Sequence, residues 1–139
     1  IEIPEIPEFA LELSLRLGPI ALEIDYDVDP EQAREFYNNM VSMQKVRMRN
    51  GGYDWSLARD IENPALWTER FHCPTWGDYL RMRSRYTQTD ISVQAKIKTF
   101  DRFEGATKVR RKLERPIGSV RWKAETPDAK QGPLDYTGP

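Results

Sequence analysis

The sequence predicts an α+β fold, a small antiparallel sheet with its helices packed on one face. Three observations carry the prediction. Between Ile20 and Phe100 the hydrophobic pattern alternates between a period of two and a helical period, in the order strand, helix, strand, strand, helix, helix. The junctions carry turn or capping residues, among them Asp29-Pro30, Asn50-Gly51-Gly52, Glu62-Asn63-Pro64 and Pro74-Thr75. A further alternating stretch, Thr107 to Leu113, supplies a fourth strand.

The first strand is Ile20 to Asp27, with Leu22, Ile24 and Tyr26 on one face and Glu23, Asp25 and Asp27 on the other. Asp29 caps the helix that follows, Pro30 suits its first position, and Gln32 is placed to complete a capping box. That helix runs to Arg49, with Ala33, Phe36, Tyr37, Met40, Val41, Gln44 and Met48 expected inward. Lys45, Arg47 and Arg49 sit near its C-terminus, where positive charge suits the helix dipole. Tyr53 to Ile61 reads as the second strand, with Tyr53, Trp55, Leu57 and Arg59 sharing a face. Leu66 to Cys73 reads as the third, pairing with the second as a hairpin. Its two faces are Trp67, Glu69, Phe71, Cys73 and Leu66, Thr68, Arg70, His72. A helix from Trp76 to Tyr86 follows, then another capped by Thr87 or Thr89 and running to Phe100. Ser119 to Ala124 offers a competing strand.

Residues 1–8 alternate Ile, Glu and Pro and are extended, and Phe9 to Leu17 alternates as a half-buried strand. The chain therefore divides into an extended arm with a candidate extra strand (1–19), an α+β domain (20–115) and a Pro-rich tail (116–139). It opens on Ile1 rather than Met, which reads as a piece of something larger or a processed product.

A net charge of -1 gives no long-range field to select an acidic or basic partner. The basic run Lys108, Arg110, Arg111, Lys112 and Arg115 reads as a solvated edge strand, not a nucleic-acid surface. Cys73 stands alone, so it specifies no disulfide framework and no thiolate metal site. No apolar run of about 18 residues occurs, so nothing in the sequence reads as membrane-spanning. With large apolar groups on both strand faces, the sheet is expected to expose an aromatic patch that a second copy covers. That expectation is a homodimer built sheet to sheet.

Several segments are similar to one known family. They are Ala21-Leu22-Glu23-Ile24-Asp25-Tyr26 with Asp29-Pro30, the run Val46 to Asp60 with Arg47, Gly51, Tyr53, Trp55, Leu57 and Arg59 in alternation, and Trp67-Thr68-Glu69-Arg70-Phe71. Thr75-Trp76-Gly77-Asp78-Tyr79-Leu80-Arg81 and Thr87-Gln88-Thr89-Asp90 continue the likeness, which spans Ala21 to Phe103. Together they resemble the soluble C-terminal domain of the transmembrane secretion effector branch of the major facilitator superfamily, relatives of the enterobactin exporter. The resemblance implies a ferredoxin-like dimeric α/β barrel, the fold of antibiotic-biosynthesis monooxygenases. It also implies a parent efflux transporter in the cell inner membrane, with this domain on the cytoplasmic side and the rest of the transporter as its partner. The family often carries a His near Arg83 or Arg85, which is missing here, so no His-based role is carried to that place.

No nucleophile and base, phosphate loop or metal cluster can be read from the sequence. The expected function is therefore a non-catalytic domain acting in dimerisation and regulation, with no catalytic, cofactor-binding or metal residues. The candidate ligand or dimer-seam contacts are Tyr26, Trp55, Arg59, Trp67, Phe71 and His72, with Arg59 or Arg70 as a polar anchor. His72 and Cys73 are adjacent in a strand and point to opposite faces, which separates them as base and nucleophile. Haem-degrading enzymes of the same fold use an Asn, a Trp and an axial His in set places. Glu23 and Asp25 stand on the first strand and the lone His72 on the third, so haem is not expected. The alternative reading is a cofactor-independent dimeric monooxygenase acting on a flat aromatic substrate. A pairing module should be packed solid, whereas an enzyme needs a cavity with convergent polar groups.

Overall fold

The computed structural model of the chain describes residues 13–115. The strands are β1 (Ile20–Asp27), β2 (Tyr53–Arg59), β3 (Leu66–Cys73) and β4 (Lys108–Leu113), and the helices are α1 (Ala33–Arg49), α2 (Trp76–Arg85) and α3 (Gln88–Lys98). The sheet runs β2-β3-β1-β4, and every neighbouring pair is antiparallel. This is a ferredoxin-like α+β fold, with its helices on one face of the sheet. The second helical crossover is broken into α2 and α3. Thr87 restarts the helix there through a reciprocal capping box with Asp90.

Register fixes which side chains meet. On the helix side of the two central strands Tyr26 lies opposite Trp67, Ile24 opposite Glu69, Leu22 opposite Phe71 and Ile20 opposite Cys73. These close against Phe36, Met40, Met43 and Val46 of α1 and against Trp76, Tyr79 and Met82 of α2, all buried. Each large apolar side chain so buried contributes about 2 kcal/mol.

The open face of the sheet is ionic, which corrects the expected aromatic seam. Glu23 lies opposite Arg70 on one side and Arg110 on the other. It pairs with Arg70, Arg110 and Lys112 at 3.3, 3.1 and 3.0 Å, and Asp25 receives Arg110 and the Thr68 hydroxyl. Strict alternation put the aromatic groups of β1 and β3 on the helix side and left charges outside. The basic run is thus an edge strand whose outward side chains answer the acids of β1, and the aromatic rings of β1 and β3 are buried under the helices of the same chain.

Three further expectations change. The α1 stripe is rotated: Phe36, Met40, Met43, Val46 and Arg47 are buried, while Tyr37, Val41 and Met48 are exposed. The first turn after Asp29 is a 3-10 turn in which Asp29 accepts from the Glu31 amide, and Gln32 makes no capping bond. β2 carries a bulge between Tyr53 and Ser56, with Asp54 at φ 52°, so Tyr53 and Trp55 lie on opposite faces.

The expected strand ending at Leu17 is instead a turn in its described part, Leu13 to Leu17. Its carbonyls serve α2: Leu17 accepts from the Trp76 amide at 2.7 Å and Leu15 from the Gly77 amide at 2.9 Å. A Cβ at Gly77 would meet the Leu15 oxygen at 2.9 Å, which is why a glycine stands there. The remainder of the arm, the candidate strand Ser119 to Ala124 and the tail lie outside the described residues.

Candidate functional site

The site grows from one charge in an apolar row. Glu69 takes an inward position of β3, between Trp67 and Phe71, and is fully buried. A buried carboxylate is tolerated only when paired and hydrogen-bonded, and this one is saturated. Its Oε1 accepts from the Tyr26 hydroxyl at 2.8 Å and from Arg47 Nη2 at 3.2 Å. Its Oε2 accepts from Arg47 Nε at 2.9 Å and from the Trp55 indole at 2.8 Å. Four donors fill the acceptor sites a carboxylate offers, so Glu69 has no lone pair left to take a substrate proton.

Arg47 is the other half of the pair. Its Nη1 donates to the Tyr86 hydroxyl at 2.7 Å, and its guanidinium lies over the Phe71 ring, 4.8 Å from the centroid. Burial works against its charge, but Glu69 outweighs burial and holds it well above the ordinary arginine value. Burial also pushes the Tyr86 phenol up, with Arg47 pulling the other way. Tyr86 therefore keeps its proton at neutral pH and can donate it.

Beside this cluster a cavity of about 760 Å³ opens between the sheet and the helices. Its apolar wall includes Leu22, Ile24, Tyr26, Phe71, Met43 and Ile97. Arg47, Tyr79, Arg83, Tyr86, Gln94 and Lys98 bring polar groups to it, and among the described residues no carboxylate lines it. Tyr79 accepts from Arg111 Nε at 3.0 Å, and Lys98 Nζ donates to the Gly105 carbonyl at 2.9 Å. The space is slot-like in chemistry: greasy walls, cationic and phenolic groups at the margin, and a demand for negative or acidic oxygen.

Of the six candidates, Tyr26, Trp55 and Phe71 are brought together around Glu69 and Arg47. Arg59 stacks on Trp67 at 5.0 Å and donates to the Pro64 carbonyl, outside the cavity wall. Arg70 is on the ionic face, so neither arginine anchors a cavity ligand. His72 is also on that face, stacked on Tyr53 with centroids 5.4 Å apart and with Nε2 2.8 Å from Glu114 Oε1. His72 holds the Glu114 carboxyl below its usual value. Cys73 points into the core, where burial pushes its thiol up to about 12. Among the described residues no group of three or more His, Cys, Asp or Glu side chains converges. Arg47, Glu69, Tyr86 and Gln94 escaped the sequence reading as site residues. The available signal was Glu69 itself, an acid in the inward register of an otherwise apolar strand.

Residues 2–117 match the family model described as transmembrane secretion effector. No curated protein sequence matches the chain. Solved structures match over most of its length. A conserved protein from Methanosarcina mazei is 17% identical with a TM-score of 0.60, the match covering 73% of this chain and 97% of that one. A Caulobacter crescentus protein, named by inference an antibiotic biosynthesis monooxygenase, is 16% identical at 0.60, covering 73% and 93%. A variant of SnoaB, a cofactor-independent oxygenase from Streptomyces nogalater, is 9% identical at 0.53, covering 74% and 97%. At these identities the likeness shows the fold.

The same findings correct what the resemblance had brought with the family. The chain was expected to be the non-catalytic C-terminal domain of a major facilitator efflux transporter. Its structural neighbours are instead proteins of the monooxygenase fold, matched over nearly their whole length. The expectations of no enzymatic role, of the rest of a transporter as partner and of a place in the inner membrane depended on that reading and are set aside with it. No described helix is long and apolar enough to cross a membrane.

Proposed function

The chain belongs to the transmembrane secretion effector family, and we propose that this member of it is a cofactor-independent monooxygenase acting on a flat aromatic substrate. The observation that carries the reading is the cavity, in which cationic and phenolic donors converge on an apolar slot. A packed pairing module would have no such space.

In this reading the substrate carries an acidic C–H or phenolic O–H. Among the described residues the wall offers donors rather than a carboxylate or histidine, so in this reading the chain acts by stabilising the substrate anion. Tyr86 donates its hydroxyl proton to the anionic oxygen. Arg47, held in place by Glu69, polarises that hydroxyl from behind. Arg83 and Lys98 add positive charge at the margin. Fixed donors aimed at developing negative charge are the usual source of the largest catalytic contribution. The electron-rich anion then reduces dioxygen. For a methylene between two aromatic rings, one oxygen atom becomes the new carbonyl, and the other leaves as water with the two methylene hydrogens. The four electrons lost by carbon are those gained by dioxygen.

The test is aerobic turnover of anthrone to anthraquinone with no added metal or flavin, followed by absorbance and oxygen uptake. The wild-type protein is expected to accelerate the reaction above buffer. Tyr86→Phe is expected to lower kcat roughly ten- to a hundredfold while the fold is kept. Oxidation no faster than in buffer, with no anthrone binding, overturns the reading.

A further inference from the structure

We infer that residues 104–107 are a movable wall of the cavity, latched shut by Lys98, whose ammonium chooses between the Gly105 carbonyl and the Asp101 carboxylate. The bearing of the latch on ligand entry rests on the proposed reading of the cavity as an aromatic-binding site.

Gly105, Ala106 and Thr107 form one side of the cavity. The chain on either side of this wall is tied down. Before it, Asp101 bridges to Val28, and Asp101 Oδ1 accepts from the Asp27 and Phe103 amides, each at 3.0 Å. The Arg102 amide donates to the Asp27 carbonyl at 2.7 Å. After it, Lys108 pairs with Asp25 as β4 begins. Between these anchors Glu104, Gly105 and Ala106 are exposed. Gly105 has φ 82°, and a Cβ there would meet nothing within 4 Å, so no packing holds the backbone on that side. What reaches it from α3 is Lys98, whose Nζ donates to the Gly105 carbonyl at 2.9 Å and which itself lines the cavity. The same ammonium stands 3.9 Å from Asp101 Oδ2, a buried oxygen with no hydrogen-bond partner. An unsatisfied buried acceptor is costly, and native structures keep few of them without a reason. Closing that gap by about 1 Å makes a charge-assisted hydrogen bond and draws the ammonium off Gly105. One cation with two acceptors gives two discrete arrangements. With Lys98 on Gly105 the wall is shut; with Lys98 on Asp101 it is released.

The experiment reads the wall first without ligand, by hydrogen–deuterium exchange of the full chain. Lys98→Met is expected to speed exchange of the 104–107 amides roughly fivefold, the effect of losing one hydrogen bond, with the β1 and β3 amides unchanged. Asp101→Asn keeps the oxygen that holds the Asp27 and Phe103 amides and removes the acceptor that competes for Lys98, so it is expected to slow the same exchange. Shifts in the same direction for both variants, or none at 104–107, overturn the latch and leave the reading of the cavity standing. Stopped-flow binding of anthrone under nitrogen then separates latching from charge. Anthrone is neutral, so a Lys98 that acts only as a charge leaves its binding rates alone. The latch predicts that Lys98→Met raises kon and koff together, each roughly fivefold, with Kd within about twofold of wild type. Unchanged rates, or a change in koff alone, overturn the latch as a gate. Anthrone that does not bind wild type overturns the reading of the cavity, and the exchange result then decides the latch by itself.

Discussion

Glu69 stands where the alternation of β3 places a hydrophobe, and everything around it follows from the need to keep that charge satisfied. Tyr26, Trp55 and Arg47 arrive from three different elements to fill its lone pairs, and Arg47 in turn fixes Tyr86 at the cavity margin. Removing one partner of such a pair leaves the other buried and uncompensated. Glu69→Gln is therefore expected to lower the unfolding free energy by about 3 kcal/mol, measured by urea denaturation. The double replacement Arg47→Met with Glu69→Leu should cost less than Glu69→Gln alone, because it leaves no stranded charge. A double variant less stable than Glu69→Gln would mean the cluster contributes through packing rather than charge pairing. Part of this was legible. Tyr26, Trp55 and Phe71 stand out as aromatics on inward positions, and the segments quoted for the family resemblance contain Arg47, Trp55 and Glu69 as well. The pairing itself was not, because nothing local tells Arg47 that its partner lies 22 residues on, and a charge near a helix C-terminus has a ready explanation in the dipole.

The elements show the same division between local and non-local information. β1 and β3 were readable to the residue because alternation and turn residues are encoded where they act. The stripe of α1 was not, because two apolar rows run side by side along it. One passes through Phe36, Met40, Met43 and Arg47, the other through Tyr37, Val41 and Met48, and the first is the one buried against the sheet, where Arg47 meets Glu69. The bulge in β2 was hidden for a similar reason: Asp54 at positive φ is a property of the pairing with β3, not of the strand alone. The ionic face follows from the register of β1 with its two neighbours and makes its own prediction. Lys112, against the opposing effect of burial and with Arg110 and Arg70 assisting, lowers the Glu23 carboxyl from its ordinary 4.5 to about 2. A carboxyl whose folded value is depressed adds stability above its unfolded value, and that stability is lost as pH falls through the folded one. Glu23→Gln should then cost about 1 kcal/mol at neutral pH, the scale of a partly exposed ion-pair cluster. The difference from wild type should vanish between pH 4.5 and about 2. Urea midpoints across that range check it, and a difference that persists at the acid end would assign Glu23 a packing role instead.

At the scale of the whole molecule the sheet separates two kinds of work. Its helix side holds the saturated carboxylate and the cavity. Its open side is a lattice of ion pairs centred on Glu23 and Asp25. Strand alternation keeps the two apart, since neighbouring residues on β1 and β3 serve opposite sides. Sequence alternation alone divided each strand into two faces, but knowing which face lies under the helices and which stays open required the packing. The separation should be measurable as independence. Glu23→Gln is expected to lower stability while the Kd for anthrone, measured under nitrogen, stays within about twofold of wild type. Tyr86→Phe is expected to weaken that binding roughly tenfold. Combined, their effects on unfolding free energy should add to within about 0.5 kcal/mol, as for sites that share no partner. Thermal shift and calorimetry on the three variants give both quantities. A coupling well beyond that margin would show that the ionic face reaches through the sheet to the cavity, and that the two sides form a single energetic unit.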